Sequence, residues 1–221
     1  MADKVIVLGS SGHARSVACV LEDLNYEVVG FVDSFRPPGE PVLRYKTLGD
    51  EHVMRDCQRR YGTRSVVVGV GDILSRKRVV QLIREINPDV VFPTIVSPHA
   101  KVSHYASLGE GTVVLSHALV NVECLVGCFC VLNSASLIEH NTRIGDYCSI
   151  SPGANIGANV SVGEGVFIGS SATLIQRRSV GAYSVIGAGA VVTQDLPDHV
   201  LAVGVPAVVK RENYVNVNIF R

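Results

Sequence analysis

One histidine, His140, stands in a setting suited to proton transfer. It lies between Glu139 and Asn141 in the segment Ile138-Glu139-His140-Asn141. An imidazole exchanges a proton near neutral pH, and a neighbouring amide can orient its ring. His140 is therefore a candidate general base, with Asn141 as its orienting partner, provided that the side chain points outward.

The segment that contains this histidine belongs to a six-residue repeat over Val96 to Pro197. A branched aliphatic residue recurs at every sixth position as far as Val192, and a small residue such as Cys148 usually follows four places later. Gly or Asn often follows the aliphatic directly, as at Gly145, where we expect a turn with positive φ. Three repeats form a coil of about 18 residues, so we predict a prism of stacked parallel strands with an aliphatic interior.

His140 is the third residue of its hexad and should point away from that interior. Ala158 lies 18 positions later and should stack above it in the next coil. A backbone N–H near Gly157 or Ala158 would then face the same column, where it could stabilise an oxyanion. The repeat thus predicts a small catalytic surface assembled from successive coils.

Residues 1–94 have a different pattern, in which strands and helices alternate. We predict a small parallel α/β domain of Rossmann type, followed by a repeat domain over 95–221 that ends in a C-terminal cap. The predicted elements are strands over Lys4 to Leu8, Glu27 to Val32 and Ser65 to Val68, helices over about 13–24, 49–60 and 73–86, and a loop over 35–45.

Ligands of such sheets sit beyond the carboxyl ends of the strands, where three loops should converge. The loop from Gly9 to Ala14 precedes a helix N-terminus, which favours an anion, but Ser11 replaces the middle glycine of a dinucleotide fingerprint. This favours the phosphate or sugar of a single nucleotide over NAD, and a tight turn that only caps the helix is the alternative. The candidate substrate-binding residues of the three loops are Gly12, His13, Ala14, Asp33, Ser34 and Gly69.

Composition argues against several classes of function. Twenty basic and twenty acidic residues balance, so charge gives no case for a nucleic-acid or membrane partner. The apolar runs are too short for a signal segment or a membrane span, and the six cysteines lack a CxxC metal spacing. We expect a cytoplasmic protein with reduced thiols, of which Cys130 and Cys148 should stack in neighbouring coils.

Nearly the whole chain resembles one family. The motifs that carry the resemblance are Gly9-Ser10-Ser11-Gly12-His13-Ala14, the hexapeptides with Ile138-Glu139-His140-Asn141, and the closing Val203-Gly204-Val205-Pro206-Ala207. They are similar to hexapeptide-repeat acetyltransferases of the sialic-acid O-acetyltransferase type, which include N-acetyltransferases of nucleotide-linked 4-amino-4,6-dideoxy sugars. The resemblance implies a left-handed parallel β-helix; the repeat spacing alone does not supply the handedness.

The resemblance also implies a reaction and its ligands. It implies a homotrimer that binds acetyl-CoA without a metal, holds a nucleotide sugar in the α/β domain, and uses the histidine matching His140 as general base. The candidate cofactor-binding residues are Ser149, Ala158, Ser170 and Ala188.

Two residues depart from the family pattern. Many members carry Asp or Glu directly after the catalytic histidine, and some carry a second histidine nine residues later; here these positions hold Asn141 and Ser149. An amine nucleophile needs less activation than a hydroxyl. We therefore expect N-acetylation of a C4 amine, with O-acetylation of a sugar such as sialic acid as the alternative.

Two other hypotheses come from the repeat. The outward histidines His99, His104 and His117 could bind zinc between subunits, as in hexapeptide-repeat carbonic anhydrases, although the α/β domain would then have no role. A prism without chemistry is the other hypothesis. Arg178 takes a small-residue position and predicts a turn or a small excursion of the coil, and the tail from Asn213 to Arg221 alternates like a strand.

Overall fold

A computed structural model describes residues 2–213 and separates the chain into two units, Met1–Ser97 and Pro98–Arg221. Most of the tail predicted to alternate like a strand, from residue 214 onward, lies outside the described residues. Among the described residues, no helix has both the length and the apolar character needed to cross a bilayer.

The N-terminal unit is built on a mostly parallel sheet with the strand order β3-β4-β2-β1-β5. Because β1 lies between β2 and β5, the chain leaves β1 on one side and returns on the other, which opens a crevice at the carboxyl ends. The predicted Rossmann-like α/β fold is confirmed. Its elements are β1 (Lys4–Leu8), α1 (Gly12–Asp23), β2 (Glu27–Val32), β3 (Pro41–Val42), β4 (Tyr45–Gly49), a 3-10 turn (Glu51–Val53), α2 (Met54–Tyr61), β5 (Val66–Val68) and α3 (Ile73–Ile86).

The core of this unit follows from its patterns. In β1, Val5 through Leu8 are fully buried, as expected of a central strand covered on both faces. In α1 the buried residues Ala14, Val17, Ala18 and Leu21 recur at the spacing of a single helix face.

One part of the sequence prediction is wrong. The sequence predicts a loop over 35–45 and a helix over 49–60, whereas the structure forms an antiparallel β3–β4 pair and begins α2 at Met54. Pro41 is compatible with β3 because it is the first residue of an edge strand. Gly30 of β2 admits β4, since a Cβ on Gly30 would lie 2.8 Å from the carbonyl oxygen of Lys46. The propensity pattern could not reveal this close approach.

The repeat forms the predicted prism, and the left-handed parallel β-helix fold is confirmed. From β6 (Ile95–Val96) onward, strands that lie 18 residues apart in the sequence pair in parallel. The strands are β7 (Lys101–Val102), β8 (Ser107–Leu108), β9 (Val113–Val114), β10 (Leu119–Val120), β11 (Leu125–Val126), β12 (Val131–Leu132), β13 (Leu137–Ile138), β14 (Arg143–Ile144), β15 (Ser149–Ile150), β16 (Asn155–Ile156), β17 (Ser161–Val162), β18 (Phe167–Ile168), β19 (Thr173–Leu174), β20 (Ser179–Val180), β21 (Val185–Ile186) and β22 (Val191–Val192).

The interior of the prism is aliphatic, and its small positions also make hydrogen bonds. Every sixth residue from Val114 to Val192 is buried. Thr142 Oγ1 donates to the carbonyl of Gly157 at 2.9 Å, and Cys148 Sγ donates to that of Gly163 at 3.0 Å. The cysteines are free thiols, and burial raises the pKa of Cys124. A small polar side chain is tolerated inside because it has a turn carbonyl as its acceptor.

The glycines that follow the aliphatics serve a different purpose from the one predicted. The residues with positive φ lie three places after the aliphatic, as at Asn141 (φ 59°). Gly145 is required by close stacking instead, because a Cβ there would lie 2.7 Å from the backbone nitrogen of Glu164 in the next coil. The prediction of a positive φ directly after the aliphatic was therefore wrong.

Of the turn or small excursion predicted at Arg178, the structure shows the turn, at residues 176 and 177, and no excursion. Strand β20 follows β19 at the regular interval, and Ser161 of β17 pairs with Ser179 of β20. The Arg178 side chain is half-buried and lies 3.9 Å from Asp195. At the end of the repeat, β23 (Leu201–Val203) pairs with β21, and β24 (Val208–Arg211) pairs antiparallel with β23.

Candidate functional site

The N-terminal unit has a cavity of about 410 Å³ at the carboxyl ends of β1, β2 and β5. The loops that follow these three strands converge around it. Of the sequence-predicted residues, Asp33, Ser34 and Gly69 line the cavity, beside Gly9 and Ser10.

Asp33 connects two of these loops. The hydroxyl of Ser10 donates to Asp33 Oδ2 at 2.5 Å, and the backbone N–H of Phe35 donates to Oδ1 at 2.8 Å. The neighbouring Ser34 donates its hydroxyl to the carboxylate of Glu51. Each oxygen of the Asp33 carboxylate thus has a protein donor, which fixes its orientation at the wall of the cavity.

A buried arginine shapes the third loop. Arg76 is 1% exposed, and its Nη1 donates to the carbonyl oxygens of Val70 and Gly71 at 2.9 and 2.8 Å. The following helix α3 begins at the N-cap Asp72, whose carboxylate accepts from the Ser75 N–H. These bonds fix the backbone of the loop, whose residues Val70, Gly71 and Asp72 line the cavity.

The predicted residues Gly12, His13 and Ala14 begin α1 and do not line the cavity. Ala14 is fully buried, and an added Cβ on Gly69 would lie 2.6 Å from its Cβ. Burial, and secondarily the Arg76 cation, lowers the pKa of His13 to about 4, so its ring is neutral at physiological pH. Only Gly12 of the three is exposed, at the N-terminus of the helix.

Sequence reasoning missed one wall of the cavity. Ser75, Arg78, Val79 and Leu82 of α3 line it at the spacing of one helix face. That spacing was visible inside the predicted helix, and the loop before it had already been assigned to the site. Phe35 was missed as well; it lines the cavity although it is 94% exposed.

His140 of the prism is exposed, as its hexad position predicts. Its Nδ1 lies 2.7 Å from Asn141 Oδ1. An amide oxygen only accepts, so this contact requires the proton on Nδ1 and leaves Nε2 as a lone-pair acceptor. Within residues 2–213, Nε2 has no hydrogen-bond partner. The exposed ring therefore has one nitrogen that is free to accept a proton.

The orientation of the Asn141 amide is fixed by a residue one coil below. Asn141 Nδ2 donates to Oε2 of Glu123, which lies 18 residues earlier. A carboxylate only accepts, so the NH₂ group must face Glu123 and the amide oxygen must face His140. Glu123 was missed from the sequence, although subtracting one coil length from Asn141 leads to it.

Of the two backbone N–H groups predicted as oxyanion donors, only one is available. The Gly157 N–H is engaged with the carbonyl of Leu174 at 2.9 Å. The Ala158 N–H has no partner in the described part of the chain, and the Asn159 N–H next to it bonds the His140 carbonyl at 3.0 Å. The donor available in the column of His140 is therefore that of Ala158.

The other predicted cofactor residues lie in two different settings. Ser170 and Ala188 are exposed, one coil apart, at the third position of their hexads. Ser149 is only 4% exposed, in β15, so its side chain is not part of the solvent-facing surface. The three outward histidines do not form a metal centre with other ligands: the described residues contain no group of three or more His, Cys, Asp or Glu that could hold a metal ion.

Known proteins match this chain in both of its units. Residues 4–83 match the family model described as the PglD N-terminal domain. No curated protein matches this chain.

Solved structures match over nearly the whole length. A variant of perosamine N-acetyltransferase from Caulobacter crescentus, in complex with CoA and GDP-perosamine, is 31% identical with a TM-score of 0.90, over 96% of this chain and 99% of that chain. The acetyltransferase domain of PglB from Neisseria gonorrhoeae is 29% identical with a TM-score of 0.85, over 93% and 98%. WeeI from Acinetobacter baumannii, at 22% identity and a TM-score of 0.81 over 94% and 100%, shares the fold.

The match to the first of these relatives covers nearly all of both chains, and therefore both units of this one. This chain belongs to the hexapeptide-repeat nucleotide-sugar acetyltransferases.

Proposed function

We propose that this protein transfers the acetyl group of acetyl-CoA to the C4 amine of a nucleotide-diphospho-4-amino-4,6-dideoxy sugar. The relative from Caulobacter crescentus is an N-acetyltransferase in complex with CoA and GDP-perosamine, and the PglB domain has been solved with acetyl coenzyme A. In this chain the observation that carries the proposal is the Nδ1–Asn141 contact of His140, which reserves Nε2 for accepting a proton.

The reaction is a direct attack. The neutral amine nitrogen forms a bond to the thioester carbonyl carbon, and the carbonyl electron pair moves to oxygen. The amine proton passes to His140 Nε2. The C–S bond then breaks as the carbonyl re-forms, and the departing thiolate takes a proton from the imidazolium, which restores the neutral base.

The backbone supplies the complementary electrostatics. The unpartnered N–H of Ala158, stacked one coil above His140, is the proposed donor to the oxyanion. Ser170 and Ala188 are proposed to contact CoA through their exposed backbone. Ser149, also predicted to bind the cofactor, is assigned a positioning role only, since its side chain is shielded from solvent.

The nucleotide sugar is proposed to bind in the cavity of the N-terminal unit. The N-terminus of α1 reaches the cavity through its N-cap residue Ser11, next to the exposed Gly12, and Arg78 lines the cavity as well. Both suit a diphosphate, because both present positive charge to it. Asp33 and Ser34 suit the hydrogen-bond donors of a ribose or base. His13 and Ala14 act by shaping the loop behind Gly69, rather than by touching the ligand.

The assembly and location are part of the same proposal. We propose a homotrimer of β-helices that works in the cytoplasm, as the family resemblance implies, with no metal in the reaction. Analytical ultracentrifugation of the purified protein tests the trimer: a sedimentation coefficient of a monomer would contradict it.

A panel of acceptors tests the reaction itself. Acetyl-CoA is offered with GDP-, UDP- and dTDP-linked 4-amino-4,6-dideoxy sugars and with free sialic acid, and the product is analysed by mass spectrometry and proton NMR. We expect an N-acetyl product with one class of nucleotide sugar. Acetylation of sialic acid alone, at a hydroxyl, would replace the proposal with the O-acetyltransferase alternative.

A further inference from the structure

Two hydrogen-bonded rungs flank His140 between its own coil and the coil below. Asn121 Nδ2 donates to Glu139 Oε2 at 2.9 Å on one side, and Asn141 Nδ2 donates to Glu123 Oε2 on the other. In the first rung the amide lies in the lower coil and the carboxylate in the coil of His140, and in the second rung this order is reversed. Each amide therefore contacts a carboxylate. Of the four side chains, the Asn141 amide is the one whose oxygen contacts the imidazole.

An asparagine beside a histidine has a weakness that an aspartate lacks. Its side chain presents an oxygen on one side and an NH₂ group on the other, and the two can exchange by rotation about χ2. With the oxygen toward the ring, Nδ1 carries the proton and Nε2 is free to accept. With the NH₂ toward the ring, Nδ1 must accept, the proton moves to Nε2, and the base is blocked.

We propose that Glu123 is a positioning residue for catalysis, which locks the Asn141 amide in the orientation that keeps His140 Nε2 free. The lock works because a carboxylate has no hydrogen to donate, so the rotated amide would place its oxygen against an anion. This inference rests on the proposed function of His140. The carboxylate that many family members carry directly after the histidine is replaced here by Asn141. The carboxylate of Glu123, one coil below, acts on His140 through the Asn141 amide.

The effects of substitutions at Glu123 and Asn141 on kcat should not be additive. Glu123→Ala should lower kcat by about tenfold, with the KM values for both substrates unchanged, because the loss concerns the fraction of enzyme with a competent base. In an Asn141→Asp background the same change should cost less than about twofold, since both oxygens of an aspartate accept and no lock is needed. If the hydrogen bond between Glu123 and Asn141 only stabilised the stacking of the coils, Glu123→Ala would lower kcat by the same factor in both backgrounds.

A spectroscopic measurement reads the tautomer directly. In ¹⁵N-histidine-labelled protein, the His140 signals, assigned with the His140→Ala variant, should show protonated Nδ1 and unprotonated Nε2 in the wild type. Glu123→Ala should shift them toward protonated Nε2. Glu123→Gln, which keeps the size of the side chain but can itself donate, should shift them in the same direction.

The matched control is Glu164→Gln, which alters the half-buried hydrogen bond from the Tyr183 hydroxyl to Glu164 one coil below it. It should leave kcat and the His140 signals as in wild type. Unchanged kcat and tautomer in both Glu123 variants would overturn the inference while leaving His140 as base. Full activity of His140→Ala would instead remove the proposed function on which the inference rests.

Discussion

The two units of this protein relate sequence to contact in different ways. In the prism, the neighbour of a residue is found by adding or subtracting 18, as Glu123 and Asn141 show. In the N-terminal unit, Ala14 meets Gly69 across 55 positions because a particular sheet order brings their elements together. Function in the prism therefore depends on register, whereas in the N-terminal unit it depends on topology.

The largest expected effect comes from breaking the register. Deletion of Asn159, an exposed turn residue with φ 56°, should unfold the later coils. It would move the aliphatics from Val162 onward out of the interior, and each lost burial costs about 1.5–3 kcal/mol. Circular dichroism melting and limited proteolysis measure the loss.

Deletion of the exposed Pro38 in the N-terminal unit is the matched control. It shortens a surface loop and should lower the melting temperature far less. Equal melting temperatures for the two deletions would contradict the dependence of the prism on register.

An intermediate effect concerns the stacking glycines. Gly145→Ala should destabilise the protein by about 2 kcal/mol, because its Cβ would lie 2.7 Å from the backbone of the next coil. Gly12→Ala should be nearly neutral for stability, since no atom lies within 4 Å of a Cβ there. Urea unfolding of both variants gives the comparison. A larger loss at Gly12 than at Gly145 would show that coil spacing is not what selects glycine after the aliphatic.

The third effect is a pH dependence confined to the N-terminal unit, absent near neutral pH and similar in size to the glycine effect only at pH 5. His13 stays neutral in the fold down to about pH 4, while the unfolded chain protonates it near its ordinary pKa of 6.5. The unfolded state therefore binds more protons, and stability is complete above pH 6.5 and falls toward pH 4. The loss at pH 5 should reach about 2 kcal/mol.

His13→Gln should remove this part of the pH dependence, measured as the difference in unfolding free energy between about pH 7.5 and pH 5. His104→Gln, at an exposed histidine of the prism, should keep the wild-type difference. The same slope in all three proteins would mean that His13 is not the titrating group.

The sequence predicted more of the prism than of the N-terminal unit, for a physical reason. An unbroken hexad pattern determines which side chains are inside, so the outward position of His140 and the place of Ala158 above it followed from counting. The role of the glycines did not follow, because a spacing of 2.7 Å between coils is invisible in residue types. Glu123 was reachable by counting, but its carboxylate had no evident purpose until the amide orientation was seen.

In the N-terminal unit, strands and helices were mostly located, and the loops after the strands were correctly brought to one edge of the sheet. The β3–β4 pair was missed because it depends on the absent side chain of Gly30 rather than on a strand-like pattern. His13 and Ala14 were predicted to bind the ligand because they follow the glycine loop. In the structure Nε2 of His13 is buried, and Ala14 is buried completely. Tertiary packing decided these positions.

The most direct test of the account is the turnover of His140→Ala, with acetyl-CoA affinity measured by calorimetry and with His104→Ala as the control on the same prism. The account predicts that kcat falls by about a hundredfold or more while the Kd for acetyl-CoA and the melting temperature stay close to wild type. Turnover equal to that of the control would contradict it, because the reaction would then not need a proton acceptor at position 140.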